Sequence, residues 1–392
     1  MNGDANPTRA VPSGLGAADR MPAVGNASTG RRGRSMVSRA AKGTLAARVL
    51  ASMKPGELRW TVEPASCLLH KAQHWDELNH HAGELPFLRT AFLLPLLASF
   101  GNGHERVAWG FDAAGQLQAA AVLTRASAWH WHTFQPSQLP LGAWLHRPGA
   151  ELRPCLRSLF RALPGFTLSL GLTQLDPAFT PRVEGPAMSG VDYVDTAWLA
   201  VEGDWSSYWE SRGKNLKSNL RKIRNRLESE GLALRFSTVT APSDMARAME
   251  DYVRLEASGW KAEQGTAIDV SNGQSAFYAR MLQNFAATGQ AELWCLHIGD
   301  DLVAMDINLL QGRTLVMLKT AYDTAFKQYS PAYLLKQEGF EREFAQGRTS
   351  RIEFYGKVLE WHTRWTDRRR QLYHLNVDRW DWPRRWHQRL KS

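Results

Sequence analysis

The chain has 392 residues, 44% hydrophobic and 22% charged, with a formal net charge of +10 at pH 7. That length has room for two or three domains, and no apolar run approaches the roughly 18–20 residues of a membrane-spanning helix. Cys67, Cys155 and Cys295 lie far apart in apolar contexts, which excludes a disulfide framework and a cysteine metal cluster and points to a reducing, cytoplasmic compartment. The positive balance favours anionic partners: CoA-like phosphates, nucleic acid or an acidic membrane surface.

Residues 1–53 read as a disordered basic tail. Gly, Ala, Ser, Pro and Arg dominate, aromatics are absent, and there is no continuous apolar core of the kind a secretory signal needs. In residues 54–190 the pattern predicts a strand over 58–69, helices over 75–82 and 89–99, and a hairpin of 106–111 with 117–125. Trp129-His130-Trp131-His132 follows, its alternation placing paired His and paired Trp on opposite sides of a strand. Two histidines without a third ligand at suitable spacing make no metal site. A helix over 154–162 and a strand over 166–172 close this half.

Residues 191–392 open with a strand over 193–201, then Asp204 as N-cap of a short helix over 205–212. The helix predicted over 214–231 is the most basic in the chain. Leu216, Leu220, Ile223 and Leu227 form its buried stripe, and Lys214, Lys217, Arg221, Lys222, Arg224 and Arg226 cover most of the rest. It could lie on anionic lipid or nucleic acid, although few aromatics interleave to stack on bases. A strand over 232–239 and helices over 242–257 and 275–288 lead to three apolar runs, 291–297, 302–310 and 314–322. Gly299-Asp300-Asp301 and Gln311-Gly312-Arg313 separate those runs as hairpin turns.

After polar residues 323–329, Ser330 and Pro331 open a helix that Gly347 closes, and 351–355 returns as a strand. The first turn of that helix carries no charge: Ala332, Tyr333, Leu334 and Leu335 precede the first acid, Glu338. Unpaired amides and the positive end of the helix dipole suit a phosphate there, and Lys319 and Lys327 add positive potential. For proton transfer the candidates are Asp306, set in an apolar strand, Glu353 at a strand end, and His362; Tyr322 or Tyr355 could act as the acid. The segment 361–392 mixes Trp361, Trp365, Trp380, Trp382 and Trp386 with Arg364, Arg368, Arg369, Arg370, Arg384 and Arg385 around a final strand over 372–377. Such a mixture can cap the sheet edge, stack on sugars, or touch a membrane surface.

The run N-L-K-S-N-L-R-K-I-R-N-R-L at 215–227, then Gly259-Trp260-Lys261, Phe277-Tyr278, the hairpin at Gly299-Asp300, Tyr322-Asp323 and Ser330-Pro331-Ala332 follow in an order that resembles the CelD/BcsL-type acetyltransferases of the GNAT superfamily, relatives of the FemAB-type transferases. The resemblance covers about residues 190–365. It implies an α+β fold of tandem GNAT-like domains, each a mixed, mostly antiparallel sheet flanked by helices, with a degenerate copy over 54–190 and the acyltransferase copy over 191–392. It also implies acetyl-CoA or another acyl-CoA as co-substrate, bound at Lys319, Tyr322, Tyr329, Ser330, Pro331, Ala332, Tyr333 and Leu334. The implied acceptor is an amine or hydroxyl of a saccharide or amino sugar in exopolysaccharide or cellulose production. A polysaccharide-synthase complex and peripheral contact with an anionic inner membrane are the implied partners. The chain departs from the family pattern in carrying Ala332 for the usual Gly, and Glu353-Phe354-Tyr355-Gly356 with Trp361-His362 where Asp-x-Gly and Tyr-Lys are usual. Two other readings stay open: a non-catalytic GNAT-like component of a polysaccharide system, and a FemAB-like transferase using aminoacyl-tRNA.

Overall fold

The computed structural model describes residues 53–258 and 273–380. The first half runs β1 (Arg59–Pro64), α1 (Ala72–His81), α2 (Thr90–Phe100), β2 (Arg106–Phe111), β3 (Leu117–Arg125), β4 (His130–Thr133), β5 (Trp144–His146), α3 (Leu152–Ala162), β6 (Ser169–Leu175) and β7 (Met188–Ala200). The second runs α4 (Trp205–Glu210), α5 (Lys214–Ser229), β8 (Leu234–Val239), α6 (Met245–Ala257), α7 (Gln274–Ala286), β9 (Ala291–Ile298), β10 (Asp301–Gln311), β11 (Thr314–Tyr322), α8 (Pro331–Gln346), β12 (Arg351–Glu353), α9 (Glu360–Trp365) and β13 (Arg369–Asp378).

Local chemistry accounts for the clearest elements. Gly299 and Gly312 take the positive φ that the β9–β10 and β10–β11 turns require, at 61° and 54°. Asp204 accepts the Ser207 amide at 2.9 Å and so caps α4. Leu216, Leu220 and Leu227 turn the apolar stripe of α5 into the core, and Gly347, at φ 61°, ends α8 in the left-handed conformation.

The strands hydrogen-bond in the order β1-β2-β3-β4-β6-β13-β7-β12-β11-β10-β9-β8. This order repeats itself. From one edge, β1, β2, β3 and β4 pair antiparallel and β4 pairs parallel with β6. From the other edge, β8, β9, β10 and β11 pair antiparallel and β11 pairs parallel with β12. In each half one helix connects the parallel pair, α3 in the first and α8 in the second. The fold is therefore α+β, a mixed, mostly antiparallel sheet flanked by helices.

The halves differ where the parallel strands part. In the first, β5 pairs with β3 at 119–121, beside the stretch taken by β4, so added backbone fills the space. In the second, β12 pairs with β11 only over 314–316, and no described strand continues that pairing over 317–322.

The core is three-part. Helices α1, α2, α6 and α7 cover one face in a cluster that runs through both halves. On the other face α3 packs over the first half and α5 with α8 over the second. The sequence expectation differs from the structure in several places. The strand over 58–69 ends at Pro64 and continues as a 3-10 turn. The strand at 193–201 begins five residues earlier, at Met188. The C-terminal strand lies between β6 and β7, mid-sheet, and α9 was not foreseen. Ser330 sits at the start of α8 but its side chain makes no capping bond; its backbone is left-handed, φ 48°. The tail over 1–52, Gly259-Trp260-Lys261 and residues 381–392 fall outside the described residues.

Helix α8 lies so close to the sheet that a Cβ on Gly339 would land on the indole of buried Trp294. Gly339→Ala gains about 1 kcal/mol of helix propensity yet forces Trp294 out of place, and overpacking of that kind costs about 1–3 kcal/mol. Urea unfolding of the variant is expected to show net destabilisation; a net gain would mean that α8 can back away from the sheet.

Candidate active site

The start of α8 borders a pocket of about 170 Å³, lined by Leu216, Asn219, Leu220 and Ile223 of α5, Ser330 and Tyr333 of α8, and Arg364 of α9. The apolar stripe of α5 thus serves the core and also walls the pocket. Pro331 brings no N–H, and Ala332 carries the first amide of the helix, one that a helix start leaves without an intrahelical acceptor. The Tyr333 and Leu334 amides both turn back to the Ser330 carbonyl, at 3.0 and 3.2 Å. The donors aimed outward are therefore fewer than a bare helix start suggests, and the Arg364 guanidinium beside them is paired with Glu360 at 2.5 Å.

The loop before α8 is fixed at both ends. Asp323 accepts the Ala325 amide at 2.9 Å, and the Tyr329 hydroxyl donates to Glu230, at the end of α5, at 2.5 Å. Arg226 stacks over the Tyr329 ring, 4.9 Å from its centroid. Tyr329 is consequently an anchor behind the pocket; Pro331 and Leu334 are also buried.

Helix α8 is pinned to the sheet by a buried ion pair. Lys336 Nζ reaches Asp306 Oδ1 at 2.7 Å and Oδ2 at 2.8 Å, and Thr320 donates to Asp306 at 2.5 Å. Asp306 is fully buried and Lys336 is 2% exposed. Both carboxylate oxygens are engaged, so Asp306, a base candidate in the sequence, is a strut between β10 and α8. At the other end of α8, Arg348 bonds Glu292 at 2.7 Å, Thr349 donates to Glu343 at 3.0 Å, and Arg342 pairs with Glu292.

Lys319 also departs from expectation. It faces α6 and α7, 3.6 Å from Glu256 and over the Tyr278 ring, on the opposite side of β11 from the contact of Thr320 with Lys336. Tyr322 ends β11, half-buried, packed against the core beneath α5 and α8.

His362 is 5% exposed. Its Nδ1 accepts the Leu359 amide at 2.9 Å, and burial, reinforced by the Lys336 charge, lowers its pKa to about 4. It is neutral at pH 7 with the ring proton on Nε2, stacked on Trp361. This geometry makes it a hydrogen-bond acceptor that caps the start of α9; the lone pair a base would use is occupied.

Glu353 stands where β11 and β12 separate, opposite Val316, the last pair of that ladder. It is 1% exposed. One oxygen takes Arg370 Nη2 at 2.9 Å, and the same nitrogen lies 2.6 Å from Asp176. The other oxygen, Oε1, has no hydrogen-bond partner and lies 3.5 Å from Arg351. Two buried carboxylates share one guanidinium, so burial raises Glu353 from 4.5 to about 7 in spite of Arg370. Tyr355, at φ 37°, donates to Asp176 at 3.3 Å. Rings in contact run from the pocket to this cluster: Tyr333 with Trp365, Trp365 with Phe340, Phe340 with Phe354.

Of the residues singled out by sequence, the structure brings Ser330 and Tyr333 to the pocket and Glu353 to the strand fork, while half-buried Ala332 is not part of the pocket lining. Asn219 and Arg364 were missed as a pair, because α5 and α9 meet only in the folded chain. The charge of α5 was the available signal, but its pocket wall is apolar.

Residues 214–363, less than half of the chain, match the family described as Acetyltransferase (GNAT) domain. Among solved structures, FemX superposes with a TM-score of 0.52 at 8% identity, covering 82% of this chain and 98% of FemX. A conserved protein of unknown function from Bacteroides thetaiotaomicron VPI-5482 gives 0.49 at 10% identity, over 82% of this chain and 100% of that one. A tandem GNAT protein from the clavulanic acid biosynthesis pathway gives 0.43 at 13%, over 82% and 98%. No curated protein matches. The 214–363 match contains α5, Asp306, Glu353 and every lining residue of the pocket except Arg364; at 8% identity the likeness to FemX speaks to the fold alone.

The raised Glu353 has a thermodynamic consequence. Between pH 4.5 and about 7 the folded chain keeps a proton that the unfolded chain has released, so this group lowers stability as pH rises through that window and adds no slope above it. Wild type minus Glu353→Gln, measured by urea unfolding across pH 4–8, is expected to lose on the order of 1–3 kcal/mol from low to high pH. A difference that grows with pH would mean an ordinary, ion-paired glutamate.

Proposed function

We propose that the chain is an acyl-CoA-dependent acyltransferase that moves an acetyl or other acyl group to an amine or hydroxyl of a saccharide-type acceptor, in exopolysaccharide or cellulose production. The pocket at the uncharged first turn of α8, lined there by Ser330, Tyr333 and Arg364, carries the reading. It offers a phosphate an outward amide, the positive end of a helix and a guanidinium at one place. The match of 214–363 to the acetyltransferase family supports the reaction class.

In this reading the open edge of β11 over 317–322 accepts the extended amide-bearing arm of the donor by strand-like hydrogen bonds, which directs the thioester toward the fork at Glu353. With its pKa raised to about 7, Glu353 is partly ionised at neutral pH, and its ionised form takes the acceptor's proton as the acyl group passes from the CoA sulfur, which leaves as thiolate. The first half offers no equivalent donor site. The start of α3 carries Glu151, whose charge opposes a phosphate, and the Gly142 amide bonds the Thr173 carbonyl of β6 at 3.0 Å beside the parted strands. The saccharide acceptor rests on the sequence resemblance.

Isothermal titration with CoA and acetyl-CoA tests this. Wild type is expected to bind both. Ala332→Glu, which puts a carboxylate at the proposed phosphate position, is expected to weaken both by at least about tenfold, as one repelled charge in a partly desolvated site costs more than 1.4 kcal/mol. Unchanged affinity in the variant would remove the phosphate from α8.

A further inference from the structure

One end of the sheet displays an aromatic cluster that the acyltransferase reading does not use. Because β4 and β6 are parallel and β13 runs antiparallel to β6, the start of β4, the start of β6 and the end of β13 meet, with Ser169 paired to both His130 and Asp378. Trp129, Phe166 and Trp380 project from those three points, 51%, 48% and 47% exposed. They touch one another, with ring centroids 6.1 Å apart in each successive pair. Their backbones are tied down: Leu168 donates to the Trp129 carbonyl at 2.7 Å and Arg379 to the Leu168 carbonyl at 2.9 Å.

Two arginines share this end. Arg379 stacks 4.3 Å from the Phe166 centroid and donates to the Thr167 carbonyl at 2.8 Å; Arg125 donates to the Ala128 carbonyl at 2.7 Å. Both bond to backbone oxygens, which leave their charge unneutralised. Among the described residues no helix is long and apolar enough to cross a membrane, so any lipid contact of these residues is peripheral.

We infer that this end of the sheet docks the protein on an anionic lipid surface. A patch of tryptophan and phenylalanine ringed by arginine matches the interfacial zone of a bilayer, where amphipathic rings enter the headgroup layer and cations meet lipid phosphates. A glycan fits it less well. Sugar stacking needs open, roughly coplanar ring faces, whereas Trp129 and Phe166 stand at 85° and Phe166 and Trp380 at 51°, and Arg379 already covers a face of Phe166.

Co-sedimentation of the full chain with phosphatidylcholine vesicles, with and without phosphatidylglycerol, tests the inference. Wild type is expected to pellet with the phosphatidylglycerol vesicles and to be released by salt. Trp129→Ser/Phe166→Ser/Trp380→Ser is expected to lower the partition by about tenfold or more, because membrane affinity scales with buried apolar area. Trp380→Ser alone, at a half-exposed ring that cannot govern folding, should lower it several-fold, and circular dichroism of each variant confirms that the fold is kept. Binding unchanged in the folded variants would place any membrane contact elsewhere, on α5 or the N-terminal tail. No wild-type binding to phosphatidylglycerol vesicles would overturn the inference, as would binding to an anionic polysaccharide that the same substitutions abolish.

Discussion

The site depends on how α8 is held. A lysine and an aspartate, both nearly fully buried, bond across the gap between helix and sheet, and Gly339 lets the helix come down onto Trp294. A buried ion pair adds little net stability over an apolar pair of the same volume, but removing one partner leaves an uncompensated charge. Its value here is positional. Lys336 and Asp306 set the height and rotation of α8, and these decide where the Ala332 amide points and how Tyr333 meets α5. The clamp of Glu292, Glu343, Arg342 and Arg348 fixes the opposite end of the helix.

The two halves of the sheet follow one plan and diverge where chemistry would need them to. Each has a run of antiparallel strands, then a parallel pair bridged by a helix. In the first half β5 continues the lane of β4 on β3, the Gly142 backbone reaches across to β6, and Glu151 sits at the helix start. In the second the fork stays open, the helix start is uncharged, and Glu353 stands at the branch point. Strands β7 and β13 stitch the halves together through the middle of the sheet. The cluster of Asp176, Arg370, Glu353 and Tyr355 spans that seam, so the ionisation of Glu353 is set partly by Asp176, a residue of the other half.

How much of this could be read from the residues depended on range. The β9–β10–β11 run, the α5 stripe and the bounds of α8 were legible because glycine turns, leucine spacing and a proline start are local signals. The repeat was reached only through the resemblance, which implied tandem GNAT-like domains, since strand order is a property of pairing and the two halves share no visible residue pattern. Asp306 misled for a physical reason: a lone acid in an apolar strand looks like a base with a raised pKa, and only the fold shows Lys336 thirty residues on, against it. His362 misled similarly, as nothing in sequence reveals that its Nδ1 is spent on Leu359. Glu353 survived as a candidate because its partner Arg370 is shared. Arg364 could be named as charged but not located.

The central claim is that a phosphate-bearing donor lies across the first turn of α8 and along the open edge of β11. Amide hydrogen exchange with and without CoA addresses both places at once. The account predicts slower exchange at 332–334 and 317–322 on adding CoA, with α3 and β4 unchanged. Protection at α3, or none anywhere at saturating CoA, would contradict it.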